Sequence, residues 1–241
     1  MDLVRPSVTR PGMFGQEVAA DSRRSVFDAH NEALLAQGIP IDAVFIGDSI
    51  TDMWALNAFF EGTSGLIANR GIGGDSTPFV RRRFHADVLQ LQPRIVVIEI
   101  GVNNTWDLDT PWDRSVYRPP DEIEDEIVGD VDAMVVSARE RGIVVALCSI
   151  LPTDIPFVGT TGVRNELILR ANNRLRDVAA RHAANYVDYH ANLTAEDGVT
   201  LRAGLAEDGL HPHVVGYRIM ARTLLEALSG AGITFIKPRS A

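Results

Sequence analysis

Val44-Phe45-Ile46-Gly47-Asp48-Ser49-Ile50-Thr51 is an apolar run that stops at a glycine and turns polar at once. Ala43–Gly47 shows no polar alternation, the pattern of a strand covered on both faces. Short β-branched runs recur along the chain at Leu66–Asn69, Ile95–Ile100, Ile143–Ser149 and Tyr186–Asp188, most of them apolar nearly throughout. Between them, helical spacing marks Thr77–Leu91, Pro120–Arg141, Arg164–His182 and His213–Leu228, and Arg141-Gly142 sits where a helix should stop. Strands and helices alternating over such short connections predict an α/β domain, its parallel sheet flanked by helices on both faces.

In sheets of this kind ligands bind beyond the carboxyl ends of the strands. Three polar or glycine-rich clusters follow three of the apolar runs: Gly47-Asp48-Ser49, Gly71–Asp75 and Gly101–Asn104. They therefore converge on one edge. Two long segments break the alternation. Thr105–Pro120 carries Trp106, Trp112 and Tyr117, and Pro152–Gly162 is the second. Loops of this length in a compact domain commonly form binding walls or lids.

The 241 residues suit one domain. Residues 1–40 read as an N-terminal extension of it, with an amphipathic helix over Glu17–Gln37 ending at Gly38, and residues 41–241 as its body. A net charge of −9 argues against nucleic acid and anionic lipid surfaces, which reward basic patches. Arg81-Arg82-Arg83 is a lone basic run and reads as a solvated helix face. With a single cysteine, Cys148, no internal disulfide forms, and its apolar strand places it in the core. Trp54 and Phe59-Phe60 also read as core. Met-Asp-Leu-Val-Arg-Pro lacks the apolar stretch of a secretory signal, and no run is long enough to span a bilayer. A cytoplasmic protein without membrane insertion is the expectation. Whether it forms a homo-oligomer stays open.

Serine is a weak nucleophile unless a base removes its proton. Ser49 fits that role at the sheet edge, and it equally fits a helix N-cap. Among the histidines, His211 stands out in Asp208-Gly209-Leu210-His211-Pro212. The spacing lets Asp208 bond one ring nitrogen on a tight turn and leave the other for a serine. Asp208 as a plain helix cap is the alternative. Acyl transfer also needs donors for a developing oxyanion. Asn69–Ser76 offers backbone N–H groups at Gly71, Gly73 and Gly74, or else is an ordinary strand-to-helix turn. Asn103 offers a side-chain amide, or else stabilises its own turn. His211 and His213 make a His-x-His pair that no further ligand cluster completes, so no metal is expected. His30, His85, His182 and His190 read as surface or helix residues.

Together, Gly47-Asp48-Ser49, Gly73-Gly74-Asp75, Gly101-Val102-Asn103 and Asp208–Pro212 resemble, in order and spacing, the four sequence blocks of the SGNH (GDSL) hydrolases. The resemblance runs from about Ile41 to Leu228. It is nearest to the branch holding the catalytic subunits of platelet-activating-factor acetylhydrolase and bacterial acyl- and acetyl-esterases. It implies a flavodoxin-like three-layer α/β/α sandwich around a mostly parallel five-stranded sheet. It implies Ser49 as nucleophile, Asp208 and His211 completing the triad, and an oxyanion hole from Ser49, Gly74 and Asn103. No cofactor is implied, and the partner would be a small-molecule ester, such as an acetylated sugar or lipid alcohol. Two departures stand out: Asn104 where Asp is common, and Ile50 where Leu is the namesake.

Asp48, Asn104, Trp106, Trp112 and Tyr117 are further candidates for substrate contact, the aromatic ones by stacking on a sugar ring. The absence of a G-x-S-x-G elbow argues against the α/β-hydrolase fold. The same triad would serve an acyltransferase or a thioesterase. A binding protein that kept the fold, and a nucleotide-binding protein, are rivals from other classes. The first is opposed by the filled catalytic positions, the second by the missing phosphate loop.

Overall fold

The computed structural model describes residues 6–16, 18–109, 117–156 and 158–239. Trp112 lies outside them. The strands are β1 (Ile41–Gly47), β2 (Phe60–Gly62), β3 (Leu66–Gly71), β4 (Ile95–Glu99), β5 (Val144–Cys148), β6 (Asn185–Val187) and β7 (Ile236–Pro238). The helices are α1 (Arg24–Gln37), α2 (Ser49–Asp52), α3 (Leu56–Phe59), α4 (Thr77–Asp87), α5 (Pro120–Glu140), α6 (Thr161–Arg181), α7 (Tyr189–Leu193) and α8 (Val214–Gly230).

β3-β1-β4-β5-β6 form one five-stranded sheet, and every pairing in it is parallel. Every residue of β1 and β4 is buried, as strands without alternation should be. One layer is α4, α5 and α6, packed side by side. Against the opposite face, Tyr217 of α8 stacks on Trp54, which meets Phe45, Phe60 and Tyr189 edge-on. Trp54 and Phe60 are core residues as expected, and so is Cys148. The chain leaves β1 for β3 on one side and later returns to β4 on the other. This reversal opens a crevice at the carboxyl ends of β1 and β4.

The structure departs from the sequence reading in four places. A small antiparallel ribbon, β2 with β7, joins distant parts of the chain. The N-terminal helix is two pieces, a 3-10 turn at Ala19–Arg23 and then α1, capped by Gly38 in the left-handed conformation. Its tight first part follows from Asp21, whose carboxylate turns back to accept the N–H groups of Phe14 and Gly15. Thr105–Asp109 is not loop but the end of a 3-10 helix over Val102–Asp109. Finally, Arg81-Arg82-Arg83 is not one solvated face. Arg81 pairs with Asp130 and Arg82 lies over the Phe14 ring, but Arg83 points inward and is fully buried.

Candidate active site

Ser49 opens α2 directly after β1, so its own N–H has no partner in the helix. The helix is capped by Asp48, whose Oδ1 accepts the N–H of Ile50 at 2.9 Å. The cap is therefore Asp48, and the Ser49 hydroxyl is left free for another partner. That partner is His211, whose Nε2 lies 2.8 Å from Ser49 Oγ.

The other ring nitrogen, Nδ1, sits 2.5 Å from Asp208 Oδ2. Asp208 Oδ1 accepts the N–H groups of Leu210 and His211. Burial alone would raise this carboxyl. The hydrogen bonds from His211 and Leu210 outweigh it and hold Asp208 below the usual carboxylate range. An ionised Asp208 can only accept, so Nδ1 carries the proton and Nε2 presents its lone pair to the Ser49 O–H. The turn carrying this pair is pinned at Gly209, whose carbonyl accepts from the Asp154 N–H at 2.8 Å. Gly209 has φ +74°, and a Cβ there would run into the Asp154 carbonyl.

β3 runs into a turn closed by the Asp75 N–H on the Ile72 carbonyl at 3.1 Å. Gly74 takes φ +79° at its third position, as a type II turn requires. The Gly74 N–H makes no hydrogen bond among the described residues and is exposed. Asn103 follows β4. Its Oδ1 accepts the Trp106 indole N–H at 2.7 Å, which fixes which end of the amide is oxygen. Its Nδ2 donates to the Asp75 carbonyl at 2.9 Å, leaving a second N–H unused.

A buried arginine, missed in the sequence, ties these pieces together. Arg83 donates to Asp75 at 2.7 Å, Asp87 at 2.9 Å, the Arg70 carbonyl at 2.8 Å and the Gly47 carbonyl at 3.0 Å. One guanidinium thus fixes the ends of β1 and β3 and the carboxylate of the glycine turn. Asn69 plays a smaller part of the same kind, donating to the Thr51 carbonyl and accepting the Gly71 N–H.

Two candidates for substrate contact are corrected. Asp48 is fully buried, turned down into the sheet to cap α2. Asn104 is buried and spends its amide on Thr77 and Glu126. Both side chains are turned into the interior. Tyr117 is half-buried against the core. Trp106 is at the edge of the site, its indole N–H bonded to Asn103 and its ring covered on one face by Arg164 at 4.7 Å. His213 caps α8 through the Val215 N–H, and His190, on α7, is buried rather than on the surface. Among the described residues, no cluster of metal-ligating side chains occurs, and no helix is long and apolar enough to cross a membrane.

Beneath Ser49 lie two buried carboxyls. Glu99, across from Gly47 in the β1–β4 register, has no hydrogen-bond partner on either oxygen among the described residues, and Asp48 Oδ2 has none there either. Burial raises both, Glu99 well above its ordinary value with the Asp48 charge adding to it, and Asp48 to about 7. The folded state then keeps protons that the unfolded chain has already released. Stability should fall as pH rises from about 4 towards the raised values. Glu99→Gln is expected to melt higher than the wild type at about pH 8, with the gap closing near pH 5. Melting curves at both pH values check this, and a gap independent of pH would contradict it.

Residues 45–219 match the model of the GDSL-like Lipase/Acylhydrolase family. The acetylxylan esterase of Geobacillus stearothermophilus is 25% identical over 225 residues, which cover 81% of this chain and 96% of that protein. A GDSL-like lipase from Bacteroides thetaiotaomicron superposes with a TM-score of 0.70 at 25% identity, over 89% of this chain and 100% of the other. The solved acetylxylan esterase from Geobacillus stearothermophilus gives a TM-score of 0.62 at 22% identity, over 79% and 95%.

Proposed function

The chain belongs to the GDSL-like lipase/acylhydrolase family, and from that premise we propose that Ser49, His211 and Asp208 are its catalytic triad and that its substrate is a small acyl ester of a sugar or lipid alcohol. Carboxylic ester hydrolysis is the activity of the family. The observation that carries the triad is the unbroken series from Ser49 Oγ through both His211 nitrogens to Asp208. His211 Nε2 takes the Ser49 proton as Oγ attacks the ester carbonyl. The carbonyl oxygen gains a negative charge, which the N–H groups of Ser49 and Gly74 and the free amide N–H of Asn103 stabilise. The protonated His211 returns its proton to the leaving alcohol. Water then attacks the acyl-Ser49 ester, giving a proton to His211, which passes it to Ser49 Oγ as the C–Oγ bond breaks and the acid departs. Asp208 stays ionised throughout and holds the imidazolium that forms at each step.

Acetyl as the acyl group is supported by the acetylxylan esterase among the relatives. Hydrolysis of p-nitrophenyl acetate, followed by a screen of acetylated sugars and glycerol esters, tests the reading. Release of free acid with no transfer to added alcohols separates a hydrolase from a transferase.

Asn103→Ala removes one oxyanion donor. It should lower kcat by about 100–1,000-fold and lower the melting temperature by only a few degrees, since Asn103 is partly exposed and each of its two side-chain hydrogen bonds contributes about 1 kcal/mol. Turnover at the wild-type rate would remove Asn103 from the oxyanion hole.

A further inference from the structure

Gly73 is exposed and presents no side chain beside the nucleophile. The position a Cβ would take there is 3.9 Å from Ser49 Cβ and 3.9 Å from Asp52 Oδ2, with nothing nearer. Asp52, one helical turn after Ser49, therefore faces the same space as the reacting hydroxyl. Its Oδ1 accepts from Arg23 at 2.9 Å. Among the described residues, no donor occupies its Oδ2.

Arg23 comes from outside the matched family region, on a segment fastened to this side of the molecule. Phe14 of that segment stacks on Phe79 and lies under Arg82, and Asp21 closes the loop by accepting from Phe14 and Gly15. Ala19 then rests against Gly74, where an added Cβ would come within 3.3 Å of it. Arg23 itself lies over the Phe27 ring at 5.1 Å. The two members of the ion pair are 41% and 28% exposed. A pair this open contributes little to stability, yet its arginine is seated on the Phe27 ring.

Side by side, a free carboxylate acceptor and a guanidinium with unused N–H donors match a hydroxyl group, which donates once and accepts twice. Hydrogen bonds to charged partners are also the stronger ones. We infer that Arg23 and Asp52 form a specificity site beside the exposed Gly73 that binds a free hydroxyl adjacent to the scissile ester, and so select partly acylated polyols and sugars. This rests on Ser49 being the nucleophile.

The test uses two esters that differ by one hydroxyl, cyclohexyl acetate and trans-1,2-cyclohexanediol monoacetate, assayed by acid release. The wild type should prefer the diol ester by about tenfold in kcat/KM, the difference lying mainly in KM. Arg23→Ala and Asp52→Asn should each lose that preference while melting close to the wild type. Arg23→Lys, which keeps the charge and loses the planar fork, should retain part of it. Equal use of the two esters by the wild type, or an undiminished preference in both variants, would overturn the inference. Hydrolysis of both esters by Ser49→Ala would instead remove the reading on which it rests, so the two failures are distinct.

Discussion

Ser49→Ala should lower the turnover of p-nitrophenyl acetate by about 10,000-fold or more without lowering the melting temperature. The two halves of this expectation have separate grounds. The Ser49 hydroxyl makes its hydrogen bond to His211 and caps nothing, because Asp48 takes the cap of α2. Removing Oγ therefore costs no helix contact and leaves His211 bonded to Asp208. The reaction, by contrast, loses the atom that forms the acyl-enzyme, and what remains is the polarising effect of the oxyanion donors on a direct attack by water. Measuring activity and melting on the same preparation decides the matter. Activity within a few fold of the wild type would place the nucleophile elsewhere.

Arg83→Met should, unlike Ser49→Ala, lose much stability, although Arg83 is not placed among the groups that meet the substrate. The side chain is fully buried, and so are its partners Asp75 and Asp87. Methionine fills part of the volume but leaves the two carboxylates facing each other's charge with one cation fewer. Breaking a buried pair in this way costs about 3–5 kcal/mol, or roughly 10 °C in melting temperature for a domain of this size. Arg24 still holds Asp87, through bonds from both of its terminal nitrogens, so Asp75 is the carboxylate left alone. Burial already raises Asp75, and the Arg83 charge opposes that rise. Without it Asp75 should take up a proton, and the variant should lose less stability at about pH 5 than at about pH 8. Activity should fall with stability, because Asp75 carries the carbonyl that orients Asn103. A variant that melts like the wild type would mean the network is ornamental.

Much of this was legible in the residues. Strands buried on both faces, such as β1 and β4, announce themselves by unbroken apolar runs, and the edge strands β3 and β6 showed as shorter β-branched or aromatic runs, so all five strands of the sheet were found within a few residues. The ribbon of β2 and β7 was not, because three-residue strands carry no periodicity and their partners lie at opposite ends of the body. The positions that the structure brings together at Ser49 were found because three strand-end clusters pointed to one edge and Asp208–Pro212 completed the set of four blocks. Their geometry was not, nor was the direction in which polar residues at strand ends point. Asp48 and Asn104 look identical in sequence to ligand-facing residues, yet both turn inward.

Arg83 is the instructive omission. A run of three arginines suggests solvent, but Val80, Arg83, Phe84 and Asp87 fall on one stripe of α4, and all four are buried. An arginine and an aspartate one turn apart on an otherwise apolar stripe are a signal for an internal ion pair. Charge composition hid what helical spacing would have revealed.

Gly209 bears on a different question, how the chain tolerates change. It contributes no side chain, sits two residues from His211 and is not itself one of the proposed catalytic groups. Yet any substitution there meets a backbone conformation that side chains avoid and a carbonyl that cannot yield without moving the Asp154 segment. In a saturation map of the chain it would read as intolerant as the triad itself, for a reason that no assay of chemistry at that position would disclose: the fit of one piece of main chain against another decides where the base stands.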